Sequence, residues 1–237
     1  MIDYKIIGSS SAGNSVLING NILVDVGLPY KKIEPYMDAI KLVLITHIHQ
    51  DHFKPSTVRR MSMEKPLIRF ACGRWMVKSL IDAGVVKSRI DPLDDGMHYG
   101  YHCNGCDFGF IPIALHHDVP CFGYKFDFPN GKVFYATDTG NLNGIVARNF
   151  DLYLLEANYE DEEIKARMDE KKVRGEYAYE QRSLKYHLSK AQCDDFIARN
   201  AGPQSEFVYL HCHVDRDSNY RGSEPLTEWE KDESKDN

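Results

Sequence analysis

A chain of 237 residues with 43% hydrophobic and 11% aromatic side chains can bury a full core, which excludes a disordered tail or a small disulfide-stapled scaffold. Its net charge of −6 speaks against broad electrostatic capture of nucleic acid, although divalent cations would add local positive charge that the count omits. Six scattered cysteines and an N-terminal Met1-Ile2-Asp3-Tyr4-Lys5 without a long apolar stretch suggest a cytoplasmic protein with reduced thiols, no signal peptide and no membrane span.

Short strands are expected at 4–7, 16–18 and 22–24, with Asn19-Gly20 as a tight hairpin between the last two. Residues 29–40 suggest a short helical passage interrupted by Pro35, and the apolar run Leu42-Val43-Leu44-Ile45 a buried strand feeding a loop. Next come a helix over 55–63, a strand over 67–70 and an amphipathic helix over 73–83 that stops at Gly84. Strands follow at 108–114, 124–128, 133–136 and 152–155, with a second hairpin signal at Asn130-Gly131. The charged stretch 160–185 is expected to be helical, its basic residues interleaved with acids as on a solvated face, with nucleic-acid contact the alternative. Ser189 with Gln192 forms a capping box opening a helix through Ala201, ended by Gly202-Pro203, and 207–210 is the last strand. Residues 1–221 are expected to form one α/β domain, a strand-rich sandwich, and 222–237 a polar acidic tail.

Chemistry concentrates in Thr46-His47-Ile48-His49-Gln50-Asp51-His52, which packs three imidazoles and a carboxylate into six positions after a buried strand. In an extended loop alternate residues point the same way, so His47 and His49 can share one cation while Asp51 and His52 face a second position. So many ligand-type side chains at a strand end are costly to leave unpaired, so the motif reads as a metal site. Further candidates stand after other strands: His116-His117-Asp118, Thr137-Asp138-Thr139-Gly140 and His211-Cys212-His213. A carboxylate such as Asp138 can give one oxygen to each of two cations. Cys103-Asn104-Gly105-Cys106, with His98 and His102 nearby, is a hairpin turn carrying two thiols rather than a zinc knuckle, which would need a second cysteine pair.

In this order, Thr-His-x-His-x-Asp-His with a downstream His, Asp and His resembles the metallo-β-lactamase superfamily. The resemblance implies an αββα four-layer sandwich with metals at one edge between the sheets. Gly8-Ser9-Ser10-Ser11-Ala12-Gly13-Asn14, Leu23-Val24-Asp25-Val26-Gly27, Asp118-Val119-Pro120-Cys121-Phe122-Gly123-Tyr124, Glu156-Ala157-Asn158, His187-Leu188-Ser189 and His213-Val214-Asp215-Arg216 resemble the YycJ (WalJ) group. The segment from His117 to Tyr124 is also similar to ribonuclease Z.

The resemblance implies two divalent ions, zinc or manganese: one held by His47, His49 and His117, the other by Asp51, His52 and His213, with Asp138 bridging. His213 is preferred to His211, and His117 to His116, from the segments that follow them, which leaves His211 and His116 as supporting or packing residues. Asp25 is expected to orient metal-binding imidazoles, the alternative being a strand-end carboxylate satisfied by loop amides. His187 is the candidate proton donor to a leaving oxygen, Asp51 orients the attacking water, and Arg216 and Asn219 are candidate phosphate contacts. The implied activity is a metal-dependent phosphodiesterase, most simply a DNA exonuclease that uses hydroxide shared between the metals, with nucleic acid as partner and DNA favoured over RNA. Its rivals are a hydrolase of a small ester, thioester or lactam, a ribonuclease Z-like RNA endonuclease, and a non-catalytic metal-binding protein.

Overall fold

The computed structural model describes residues 1–103, 105–176 and 180–212. Twelve strands alternate with helices among them. The first half comprises β1 (Tyr4–Gly8), β2 (Ser15–Ile18), β3 (Ile22–Val24), β4 (Leu42–Ile45), β5 (Arg69–Gly73) and β6 (Ile90–Leu93), with α1 (Tyr30–Ile33), α2 (Pro55–Glu64) and α3 (Val77–Asp82) between them. The second comprises β7 (Tyr99–Cys103), β8 (Cys106–Leu115), β9 (Cys121–Phe128), β10 (Gly131–Ala136), β11 (Leu152–Glu156) and β12 (Glu206–Leu210), with α4 (Asp161–Arg174), α5 (Glu180–Tyr186) and α6 (Lys190–Asn200).

Each half forms one six-stranded sheet, ordered β1-β2-β3-β4-β5-β6 and β12-β11-β10-β9-β8-β7. Antiparallel hairpins open the first sheet, and β3 through β6 then run parallel. Strands covered on both faces must be apolar on both, which explains the unbroken run of β4. Leu42 and Leu44 face the second sheet, packing with Val16, Tyr124, Tyr135 and Leu154, while Val43 and Ile45 pack under the helices with Met61 and Leu80. On the far face of the second sheet Phe134 and Tyr153 meet Leu188, Phe196 and Ile197. The layers are therefore helix, sheet, sheet, helix, the αββα sandwich expected from the sequence.

Local chemistry accounts for most element ends. Asn19 (φ 47°) and Gly20 (φ 69°) both adopt the left-handed region in the tight turn, closed by Asn21 N–H donating to Ile18 O, that joins β2 to β3 and pairs Ile18 with Ile22. Ser189 Oγ accepts from Gln192 N–H while the Gln192 side chain accepts from Ser189 N–H, so the capping box opens α6.

Two strands escaped the sequence patterns. The Pro92 that demotes 90–93 as a strand is tolerated because β6 is an edge. Strand β7 mixes Tyr99, Gly100, Tyr101 and His102 without an aliphatic run. The expected helix over 73–83 begins as a 3₁₀ turn at 74–76 before α3, and the stretch 160–185 breaks at Gly175 (φ 68°), separating α4 from α5. No helix among the described residues is long and apolar enough to cross a membrane.

Candidate metal centre

The candidate metal donors among the described residues lie at one edge of the sandwich, where strands from both sheets end. Asp25 follows β3, His47 to His52 follow β4, His117 follows β8, Asp138 follows β10, Glu156 ends β11 and His211 follows β12. The sheets are tied there by Phe122 N–H donating to Thr46 O (3.1 Å) and by Tyr124 OH donating to Ile45 O (2.8 Å).

The loop after β4 is not extended. His52 and Phe53 both donate backbone N–H groups to His49 O (2.9 and 2.7 Å), which curls the loop and gathers the side chains of 47, 49 and 52. Gly27 makes room for that turn, since a Cβ there would collide with the Asp51 carbonyl. Asn14 closes it from below: its backbone N–H donates to Asp51 O at 2.7 Å, and its Nδ2 donates to Asp51 O and Oδ2 at 3.2 and 3.3 Å. The serine-rich loop at 8–14 beside it thus acts as a frame, and Ser9 Oγ also accepts the backbone N–H of His211 at 2.7 Å.

Most of the imidazoles are pinned by one nitrogen and present the other to a common centre, as metal ligands require. His52 Nδ1 meets Asp25 Oδ2 at 2.6 Å, and its Nε2 lies 2.8 Å from Asp138 Oδ2. His117 Nδ1 donates to the Tyr186 carbonyl (3.2 Å), while its Nε2 faces His49 Nδ1 at 3.2 Å. His211 Nδ1 lies 3.1 Å from Asn158 Nδ2, and its Nε2 lies 3.2 Å from Asp51 Oδ2 and 3.5 Å from Asp138 Oδ1. His47 is buried, with Nδ1 beside Thr46 Oγ1 (2.9 Å) and Nε2 with no hydrogen-bond partner. A buried imidazole nitrogen without a partner costs free energy that a bound cation would recover, so the donor set fits a metal.

Four overlapping sets of donors lie among the described residues: one joins His47, His52 and Asp138, one joins Asp138, Glu156, His187 and His211, and the other two centre on separate points. His47, His49 and His117 converge on one point, Asp51, His52 and His211 on another, and Asp138 touches both His52 and His211. Asp25 reaches only Thr46 and His52, accepting from Thr46 N (2.8 Å) and bonding His52 Nδ1, so it orients an imidazole without entering either group. His213, Arg216 and Asn219 lie outside the described residues. His211, expected from the sequence to be a supporting or packing residue, lies close enough to Asp51 and His52 to count as a possible donor beside them. The backbone at His211 is left-handed (φ 51°) just after β12, and its Nε2 lies 3.2 Å from Asp51 Oδ2. His116 stays outside both groups, its ring 6.3 Å from that of Tyr186. No group of potential metal donors among the described residues includes Cys103 or Cys106, which are register partners across the β7–β8 hairpin.

Glu156 carries more than its sequence motif suggested. It is fully buried, accepts Thr139 N–H at 3.0 Å and hydrogen-bonds His187 Nδ1 through Oε1. His187 stacks on His211 (5.3 Å, 5° between planes) and its Nδ1 lies 3.5 Å from Asp138 Oδ1. Asp25 (φ 64°) and Asp138 (φ 59°) share the left-handed backbone of His211, so strain collects at this site.

Protons are distributed unevenly over the cluster. Burial and the neighbouring His52 hold the His47 imidazole well below its usual range, so it stays neutral. Burial would also lower His52, but the Asp138 and Asp25 carboxylates outweigh it and push its pKa up to about 10. His211 is raised in the same way, chiefly by Asp138 against burial. Burial would raise Asp138, yet His211 and His52 hold it well below the carboxylate range. A cation must therefore displace protons from His52 and His211, so metal binding at pH 7 is expected to release roughly one to two protons, with affinity rising toward pH 10. Calorimetric titration in buffers of different ionisation enthalpy reads this directly. A binding heat independent of buffer would rule it out.

Comparison with known proteins agrees with this architecture. The family model described as beta-lactamase superfamily domain matches residues 21–195. The metallo-beta-lactamase fold protein YhfI from Bacillus subtilis superposes with a TM-score of 0.67 at 16% identity, covering 90% of this chain and 86% of that one. Human tRNase Z, short form, gives 0.60 at 18% identity, covering 90% and 93%. Zn(2+)-bound PqqB from Methylobacterium extorquens gives 0.63 at 11% identity, covering 90% and 89%. A diphosphatase from the PhnP family is also similar, with a TM-score of 0.60 at 15% identity and coverage of 90% and 87%. No curated protein matches the sequence.

Proposed function

The chain belongs to the beta-lactamase superfamily as a metal-dependent hydrolase of metallo-β-lactamase fold, and from that premise we propose that it cleaves phosphodiester bonds in nucleic acid. The substrate favoured is DNA rather than RNA, attacked in the exonuclease manner of the YycJ (WalJ) group that the sequence resembles. Zinc or manganese would occupy the two donor groups.

The observation that carries this reading is His187. Its ring lies against His211 at the edge of the donor cluster, and its Nδ1 is engaged by buried Glu156, which leaves Nε2 as the nitrogen to face a substrate. A phosphodiester departs as an alkoxide and needs a proton, whereas lactam opening depends less on a dedicated donor at this point. Burial would strip the proton from His187, but Glu156 outweighs it and holds the pKa above that of a free imidazole, which favours the proton-donating form.

The other residues divide the remaining work. Asp51 and Asp138 would accept hydrogen bonds from the attacking water and orient it for in-line approach. When bound, divalent cations lower the pKa of water and offset charge on the phosphoryl oxygens. His52 and His211 would give up their protons to hold one cation, with Asp25 fixing the His52 ring behind it. Similarity to proteins described as a tRNase and a diphosphatase supports phosphorus chemistry over carbonyl chemistry.

The test is hydrolysis of end-labelled single- and double-stranded DNA and RNA by wild-type protein with manganese or zinc. Shortening of DNA from one end supports the reading. Inertness toward every nucleic acid, paired with turnover of a thioester or nitrocefin, would overturn it.

A further inference from the structure

Helix α5, at the end of the charged stretch read from the sequence as a solvated face, closes one wall of the metal centre. The Tyr186 carbonyl accepts from His117 Nδ1 at 3.2 Å. A Cβ at Gly140, two residues after Asp138, would run into the Lys185 carbonyl, so the end of α5 sits directly on the loop that carries Asp138. One turn back, Arg182 donates through Nη2 to Asp118 Oδ2. The other oxygen of Asp118 lies 3.1 Å from His117 Nε2 and 3.4 Å from His49 Nε2. One carboxylate therefore separates the guanidinium from two imidazoles of the first donor group.

The surroundings give that cation a purpose. Asp51, Asp118, Asp138 and Glu156 make the centre rich in carboxylates. Cations would offset this charge for the phosphate at the centre itself, but a second phosphate just outside would meet a repulsive field. Arg182 is 61% exposed at this rim, and Lys185 stands a turn along α5 with Nζ 4.8 Å from the Tyr186 ring centroid. An exposed Arg–carboxylate pair contributes little to stability, so the fold has small need of it. A guanidinium has five donors in a planar fork, and among the described residues its pairing with Asp118 uses one terminal nitrogen.

We propose that Arg182 is a subsite for a phosphate adjacent to the one being cleaved, so that the enzyme recognises a chain of phosphodiesters rather than an isolated one. This rests on the phosphodiesterase reading above and sharpens it toward oligonucleotides. Asp118 holds the guanidinium fork at the rim, and the phosphate binds its remaining edge.

The experiment compares Arg182→Gln and Arg182→Lys with wild type on bis(p-nitrophenyl) phosphate, which has a single phosphate, and on a single-stranded DNA 10-mer. Binding of a fluorescein-labelled 10-mer is followed by anisotropy from 50 to 200 mM salt, so recognition is read without turnover. Arg182→Gln is expected to raise KM for the 10-mer about tenfold with kcat little changed, and to reduce the salt slope of binding by about one phosphate contact. Its bis(p-nitrophenyl) phosphate kinetics and metal content should match wild type, and Arg182→Lys should recover part of the loss. Equal losses on both substrates would overturn the proposal in favour of a role in holding Asp118 and its histidines. An unchanged 10-mer KM and salt slope would overturn it too. If wild type cuts neither substrate yet binds the 10-mer with an Arg182-dependent salt slope, the subsite stands and the hydrolytic reading fails.

Discussion

Asp138→Asn is expected to lower kcat on any phosphodiester by at least about 10³-fold while leaving the protein folded. The carboxylate lies 2.8 Å from His52 Nε2 and 3.5 Å from His211 Nε2, with an oxygen buried toward the centre of the cluster. Asparagine keeps the shape and accepts the left-handed backbone that position 138 requires, so the substitution removes charge rather than structure. An amide is a much weaker ligand than a carboxylate and cannot offset the protonated forms of His52 and His211. Retained metal of the second donor group should fall together with turnover. Elemental analysis beside kinetics checks both, and a variant with wild-type turnover would remove Asp138 from the chemistry.

His187→Ala carries the second large effect, and its size depends on the leaving group. For DNA, whose leaving alkoxide is strongly basic, kcat is expected to fall about 10²–10⁴-fold. For bis(p-nitrophenyl) phosphate, whose nitrophenolate departs without a proton, the loss should stay under about tenfold. The pH profile separates this role from a structural one. With its pKa raised by Glu156, His187 keeps its proton to higher pH than a free imidazole and loses it as pH rises further, so DNA cleavage should decline on the alkaline side. The alanine variant should lack that alkaline limb, and Glu156→Gln should move it to lower pH. A uniform loss on both substrates with an unchanged profile would dismiss the proton-donor role.

The layered architecture was legible because its signals are local. The unbroken apolar run of β4, the Asn19-Gly20 turn and the Ser189–Gln192 box are each decided by a handful of adjacent residues. The cluster at 46–52 could be read for the same reason, since ligand-type residues follow a buried strand without interruption. What escaped depends on distant partners. Pro92 hides β6 because only the sheet order shows that the strand is an edge. The approach of the His211 ring to Asp51 follows a left-handed backbone (φ 51°), which a period-two pattern does not encode. Glu156 resembles any acidic residue at a strand end until His187, more than thirty positions later, folds onto it. The charged stretch around α5 has no apolar stripe to announce a buried contact, because its role at the centre runs through the Tyr186 carbonyl.

The separation of the donors along the chain has a consequence for biosynthesis. The three-imidazole group is complete in sequence once residue 117 exists, but the carboxylate-rich group waits for residue 211, the last turn of backbone after β12. A nascent chain can thus offer one cation position well before the other. The wall built by α5 also arrives in that interval, after the first donors and before the last. Along the sequence, the first donor set is therefore complete well before the second.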